Sequence, residues 1–256
     1  MMKIITKSKL LVAAFTLAAG MGAHAQVFTG SVIGGYNITN ISGVSISTQG
    51  IDKATTRSSV GGGLSFRYDT EGKWAVSMGL LYTPKGADYT GSVKDSSDTK
   101  NGMATYSYQD VTNYIDIPLL VHYNFSPNTS KFRPYATLGI YTGIRLNGKT
   151  TLDYSFKGSV GSKADSSYSI SPEVRNYYDR TNVDYGVVAG VGANLDITKK
   201  LILGVDLRYN AGVVDIREVR LANTSQRNSN INVLVSLGYR LWSDMGGAEA
   251  PKPEAK

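Results

Sequence analysis

Cysteine is absent from the chain, so no disulfide, no thiolate nucleophile and no cysteine-ligated metal is available to it. Histidine is scarce, with two in 256 residues, His24 and His122. No segment after residue 25 approaches the run of about 18 apolar residues that a membrane-spanning helix needs. Helical periodicity is almost missing as well. The formal charge is a modest +7, which falls to +4 if the three lysines of an N-terminal leader are removed. That balance does not call for nucleic acid as a partner.

The leader is the first positive feature. Lys3, Lys7 and Lys9 form a basic start, Leu10 to Met21 an apolar core, and Ala23-His24-Ala25 a small-x-small cleavage pattern. Residues 1–25 therefore read as a secretory signal peptide, since the apolar core is short for a retained anchor. An exported chain without disulfides must be held by its core or by closure of a sheet. Residues 26–242 read as one β-barrel domain. Residues 243–256, rich in Pro, Ala and charge, read as a disordered periplasmic tail.

Alternation with period two recurs in eight segments, roughly 27–38, 59–68, 73–83, 114–125, 132–146, 183–195, 201–211 and 230–242. Three connections, DTEG, SPNTSK and DITKK, are tight turns. The other four, about 39–58, 84–113, 147–182 and 212–229, are long and rich in Ser, Thr, Asn, Tyr and Gly. Short turns at one end and long loops at the other describe an all-β, eight-stranded antiparallel up-and-down transmembrane β-barrel.

The choice between a soluble and a membrane barrel depends on which face is apolar. One parity of the third segment gives Trp74, Val76, Met78, Leu80 and Tyr82; the other gives Ala75, Ser77, Gly79, Leu81 and Thr83. In the seventh, Leu201, Leu203, Val205, Leu207 and Tyr209 oppose Ile202, Gly204, Asp206, Arg208 and Asn210. Rows of glycine and small residues suit a crowded narrow lumen rather than water, so the apolar parity faces lipid. Aromatics on that face gather at two heights. With a periplasmic N-terminus, Tyr68, Trp74, Tyr123, Phe132 and Tyr239 fall at the periplasmic interface. Tyr36, Tyr82, Tyr185 and Tyr209 fall at the external one. Trp74 to Tyr82 spans roughly 26 Å along a strand, close to the apolar band of such barrels.

The lumen parity carries Arg67, Asp116, His122, Arg133, Arg145, Asp184, Asp206, Arg208 and Arg240. An eight-stranded barrel is just wide enough for side chains, and charges buried there must pair. Asp116, Arg145, Asp184 and Arg208 are expected in one network in the outer half. Arg67, Arg133 and Arg240 are expected at the periplasmic mouth, with Asp69, Glu71 or Asp196 as candidate partners. Such a network plugs the tube; an ion path is the alternative. An envelope hydrolase would need Ser, His and a carboxylate at the external edge, whereas His122 falls low in the lumen. The chain therefore reads as a non-enzyme without cofactor or metal. Its partners are outer-membrane lipid and envelope or secretion-machinery proteins, in a monomeric state. The tyrosine- and serine-rich loop at 147–182 suits surface binding or simple strand extension. The triplet Gly61-Gly62-Gly63 lacks the Lys-Ser/Thr of a phosphate loop.

The segment NYIDIPLLVHYNF, residues 113–125, is the most specific stretch. With GGYN at 34–37, LLYTPKGA at 80–87 and LGYRLW at 237–242, it resembles the PorT-like outer-membrane β-barrel proteins of Bacteroidetes-type bacteria. Weaker matches are YATLGIY, YGVVAGVG and DLRYNAG. The resemblance implies an eight-stranded outer-membrane barrel, with termini in the periplasm and long loops outside. The namesake's link to protein secretion makes secretion an expected setting, and no catalytic residues come with the family. Pro118 interrupts this strand and lacks a ladder N–H, so a β-bulge is expected there.

Overall fold

The computed structural model describes residues 27–42, 51–70, 72–94, 103–157, 166–170, 181–216 and 225–243. Residues 1–25, read above as a signal peptide, the residues beyond Ser243 read as a tail, and Glu71 lie outside them. Nine strands follow in chain order: β1 Val27–Ser42, β2 Ile51–Asp69, β3 Trp74–Lys94, β4 Met103–Asn124, β5 Phe132–Lys157, β6 Ser166–Ile170, β7 Val183–Asp196, β8 Leu201–Gly212 and β9 Arg227–Ser243. Eight of them pair antiparallel in a closed ring, with β9 returning to β1; the short β6 sits outside the ring on β5. Closure leaves no unpaired edge in the spanning region, which is what a sheet in lipid requires.

The faces are inverted relative to a soluble barrel. Leu138 is 68% exposed, Val32 64% and Leu237 53%, whereas Asp184 and Asn124 are fully buried. Along β8, Val205, Leu207 and Tyr209 point outward and Ile202, Asp206, Arg208 and Asn210 inward. The aromatics Tyr36, Trp74, Tyr82, Phe132, Tyr185, Tyr209 and Tyr239 are exposed on the outer face; Tyr68 and Tyr123 are partly covered there. Trp74 pairs across the sheet with Tyr123, their rings edge to face at 5.0 Å. On the neighbouring strands Phe28 stacks on Phe66 at 6.1 Å. These contacts stiffen the ring of aromatics at the short-turn end.

Two expectations are corrected. The segments read as loops at 39–58 and 84–113 are largely strand, and the one at 147–182 opens as strand to Lys157 and contains β6. β3 runs to Lys94, β4 starts at Met103, and β5 spans 26 residues. With the upper part of β2 and with β6 they form a wall rising past Tyr82 by roughly 40 Å of strand to Lys94. Beyond lipid both faces of such strands meet polar surroundings, so the alternation that marks the barrel fades. The bulge expected at Pro118 is absent. Met78↔Leu119 and Leu81↔Asp116 keep one register with β3, and pairing of β4 with β5 runs unbroken through Pro118↔Tyr141. Gly79 lies opposite the ring, where an added Cβ would come 3.4 Å from Pro118 Cγ. The missing side chain makes room that an extra residue would otherwise have to supply. The register shift in this strand falls earlier, between Asn113 and Tyr114.

At the long-hairpin end Ile41, Ala87, Tyr89 and Ile216 form a buried apolar cluster. Backbone bonds from Thr181 N–H to Ile216 O and from Ile216 N–H to Gln226 O, both 2.9 Å, fix the segment after β8 beside it. The cluster caps the lumen.

Candidate functional site

The lumen is filled by three layers of polar side chains. In the layer below the cap, Lys85 Nζ donates to Asp116 Oδ1 at 2.9 Å and to Asp184 Oδ2 at 3.0 Å. Asp184 Oδ2 also accepts from Tyr141 Oη at 3.2 Å and from Asn228 Nδ2 at 3.0 Å. The ammonium lies over two rings, 4.3 Å from the centroid of Tyr141 and 4.8 Å from that of Tyr114. Lys85 is 1% exposed. Register explains the convergence: Gly143 pairs with Asp116 on one side and Asp184 on the other. A Cβ on Gly143 would lie 2.6 Å from Asp116 Oδ1 and 3.4 Å from Asp184 Cβ. Glycine is the residue that lets both carboxylates reach one lysine.

The middle layer repeats the device on the next strands. Tyr135, Gly192 and Asp206 share a row across β5, β7 and β8, and Tyr135 Oη donates to Asp206 Oδ1 at 2.7 Å over the glycine. Arg208 pairs with Asp206 at 3.0 Å. Beside them His122 is held at both nitrogens, by Ser77 Oγ and by Thr137 Oγ1, each at 2.7 Å. Its edge meets the Tyr135 ring at 5.1 Å, and Arg67 lies over the same ring at 4.7 Å. With hydroxyls on both ring nitrogens, His122 is part of the packing, and among the described residues no carboxylate orients it as a base.

At the short-turn end two clusters close the tube. Arg67 pairs with Asp69 at 3.0 Å and donates to Asn124 Oδ1 at 2.7 Å. Arg133 grips Asp196 with both guanidinium nitrogens, at 2.9 and 2.6 Å, and Arg240 reaches the same carboxylate. Burial alone would raise the pKa of Asp196, but hydrogen bonds and charge from Arg133 and Arg240 hold it below the usual carboxylate value.

The structure brings Asp116 and Asp184 together and leaves out the two arginines expected beside them. Arg208 turns to Asp206. Arg145 is partly exposed at the mouth and donates to Asn182 Oδ1 at 3.0 Å. It stands opposite Tyr114, two residues farther toward the mouth than Gly143 on the same strand. Lys85 takes the place expected for them. Sequence reasoning missed it because Pro84 was read as the strand's end. The inward parity of Ser77, Leu81 and Thr83, continued past Pro84, predicts it.

With this geometry in view, the sequence match is specific in kind. The outer membrane protein beta-barrel domain matches residues 25–218. The chain belongs to that family. The solved structures that match this outer-membrane barrel do so at low identity. The outer membrane protein W of E. coli is 16% identical, covering 86% of this chain and 100% of that one, with a TM-score of 0.41. OprG from Pseudomonas aeruginosa is 17% identical, covering 84% and 96%, with a TM-score of 0.39. Neisserial surface protein A is 14% identical, covering 82% and 96%, with a TM-score of 0.37. No curated protein matches the chain in sequence.

Proposed function

We propose that this outer-membrane barrel is a closed, non-conducting scaffold whose work is done by the strand wall that β2 to β6 raise above the membrane. Its termini and short turns face the periplasm, and the wall faces outward. The observation that carries the reading is the burial of Lys85, Asp116, Asp184 and Tyr141, each at most 2% exposed, across the tube. A lumen closed by buried, hydrogen-bonded charge has no aqueous path to offer, so contact through the outside is what remains. A link to protein secretion belongs to this proposal and rests on the PorT-like motifs alone.

One observation favours a rival. Arg208 lines two water-sized cavities, of about 20 and 40 Å3, one toward Asp116 and one toward His122. If Arg208 swings aside, these join into an ion path.

The wall is tested by shortening it. Tyr89 and Tyr108 face each other in register, so residues 90–107 are replaced by Asn-Gly, a two-residue hairpin turn. Crosslinking in intact cells is expected to lose its envelope partners with this variant while the barrel still inserts. Unchanged crosslinks would refute the reading.

A further inference from the structure

The short-turn end carries a rim of exposed lysines. Lys73, Lys131, Lys199 and Lys200 stand exposed on the three turns. Two of them reach back over the aromatic ring: Lys73 Nζ lies 5.8 Å from the centroid of Tyr123, and Lys200 Nζ 5.9 Å from that of Tyr239. An ammonium beside an interfacial tyrosine sits at the depth of lipid phosphates. Among the described residues no outward tyrosine at the opposite end has a cation over its ring.

Among the described residues the carboxylates at this end are engaged. Asp69 holds Arg67, and Asp196 is shared by Arg133 and Arg240, which leaves a positive charge in excess just inside the rim. The second and third turns carry Lys131, Lys199 and Lys200 against one carboxylate, Asp196, which the two arginines already hold. Below the rim the outward surface is apolar and broad, with Trp74, Phe132, Leu241 and Trp242 each more than half exposed. Cations at headgroup level above exposed rings and aliphatics match an anionic diacyl lipid, charge to charge and chain to wall.

We propose that this rim selects anionic glycerophospholipid, such as phosphatidylglycerol, in the leaflet on the short-turn side. The proposal rests on the outward face meeting lipid and is independent of whether the lumen is closed.

The chain's own fluorescence reads the rim. It has two tryptophans, Trp74 and Trp242, and both stand here, 54% and 65% exposed. The folded chain is reconstituted in phosphatidylcholine vesicles holding a small, equal fraction of brominated phosphatidylglycerol or brominated phosphatidylcholine. Brominated phosphatidylglycerol is expected to quench with an apparent affinity about fivefold higher, the order of effect of one lysine at an anionic surface. The preference should fade as salt rises, and disappear in the quadruple variant K73Q/K131Q/K199Q/K200Q. Equal quenching by both lipids, or a preference that survives high salt in the wild type, would overturn the proposal. The salt titration needs no variant, so a folding defect in the quadruple mutant leaves the test intact.

Discussion

Asp116 and Asp184 approach one another across Gly143 and share a single cation, Lys85, whose ammonium is 2.9 Å from one carboxylate and 3.0 Å from the other. Each of the three comes from a different strand, β3, β4 or β7, so the contact ties non-neighbouring walls through the tube's middle. Removing the cation strands two buried carboxylates. Lys85→Met is therefore expected to cost roughly 3–5 kcal/mol, the range for breaking a buried pair from one side. Adding Asp184→Asn should recover part of that loss, so the double variant is less destabilised than the sum of the singles. Urea unfolding in lipid vesicles measures both.

The glycine rows make a second expectation. At Gly192 a Cβ would lie 2.6 Å from Tyr135 Oη and 2.7 Å from the backbone oxygen of Val205. Gly192→Ala should cost roughly 1–3 kcal/mol by overpacking and should break the Tyr135–Asp206 bond. Gly34→Ala is the control. The nearest atom to its Cβ would be the Gly61 oxygen at 4.0 Å, and the change should stay within about 0.5 kcal/mol.

Acid sensitivity should trace to the short-turn end. The folded-state pKa of Asp196 is depressed, so its stabilisation is complete above the unfolded value near 4 and is lost as pH falls through the lower folded value. The wild-type urea midpoint should drop between about pH 5 and about pH 3 by more than that of Asp196→Asn. Equal drops would assign acid sensitivity elsewhere.

Orientation of the faces is checked at mid-height. Val205 lies outward between Leu201 and Tyr209 and is 49% exposed. Val205→Arg should cost roughly 2–4 kcal/mol in bilayers, the penalty for arginine at the midplane of a barrel's lipid face. An unchanged stability would place this face away from the acyl chains.

The barrel was legible because lipid imposes a strict rule on alternate residues. Leu203, Val205 and Leu207 must be apolar, and Gly204 and Asp206 between them need not be. Above the membrane that rule lapses, and the strands from Lys85 to Lys94 and from Met103 to Asn113 look like loops in composition. Lys85 was lost with them. Pairing was harder still to read. Asp116 and Asp184 are 68 residues apart in the chain, and only the register through Gly143 shows that they meet. Pro118 misled for a related reason, since the feature that accommodates it, Gly79, lies on the neighbouring strand.

The central claim is that the tube is closed by its own charges. Single-channel recording in planar bilayers tests it most directly. The account predicts no steady current from the folded wild type, and a rise in conductance when Lys85→Met releases the carboxylates it holds. A steady, sizeable open channel in the wild type would contradict it.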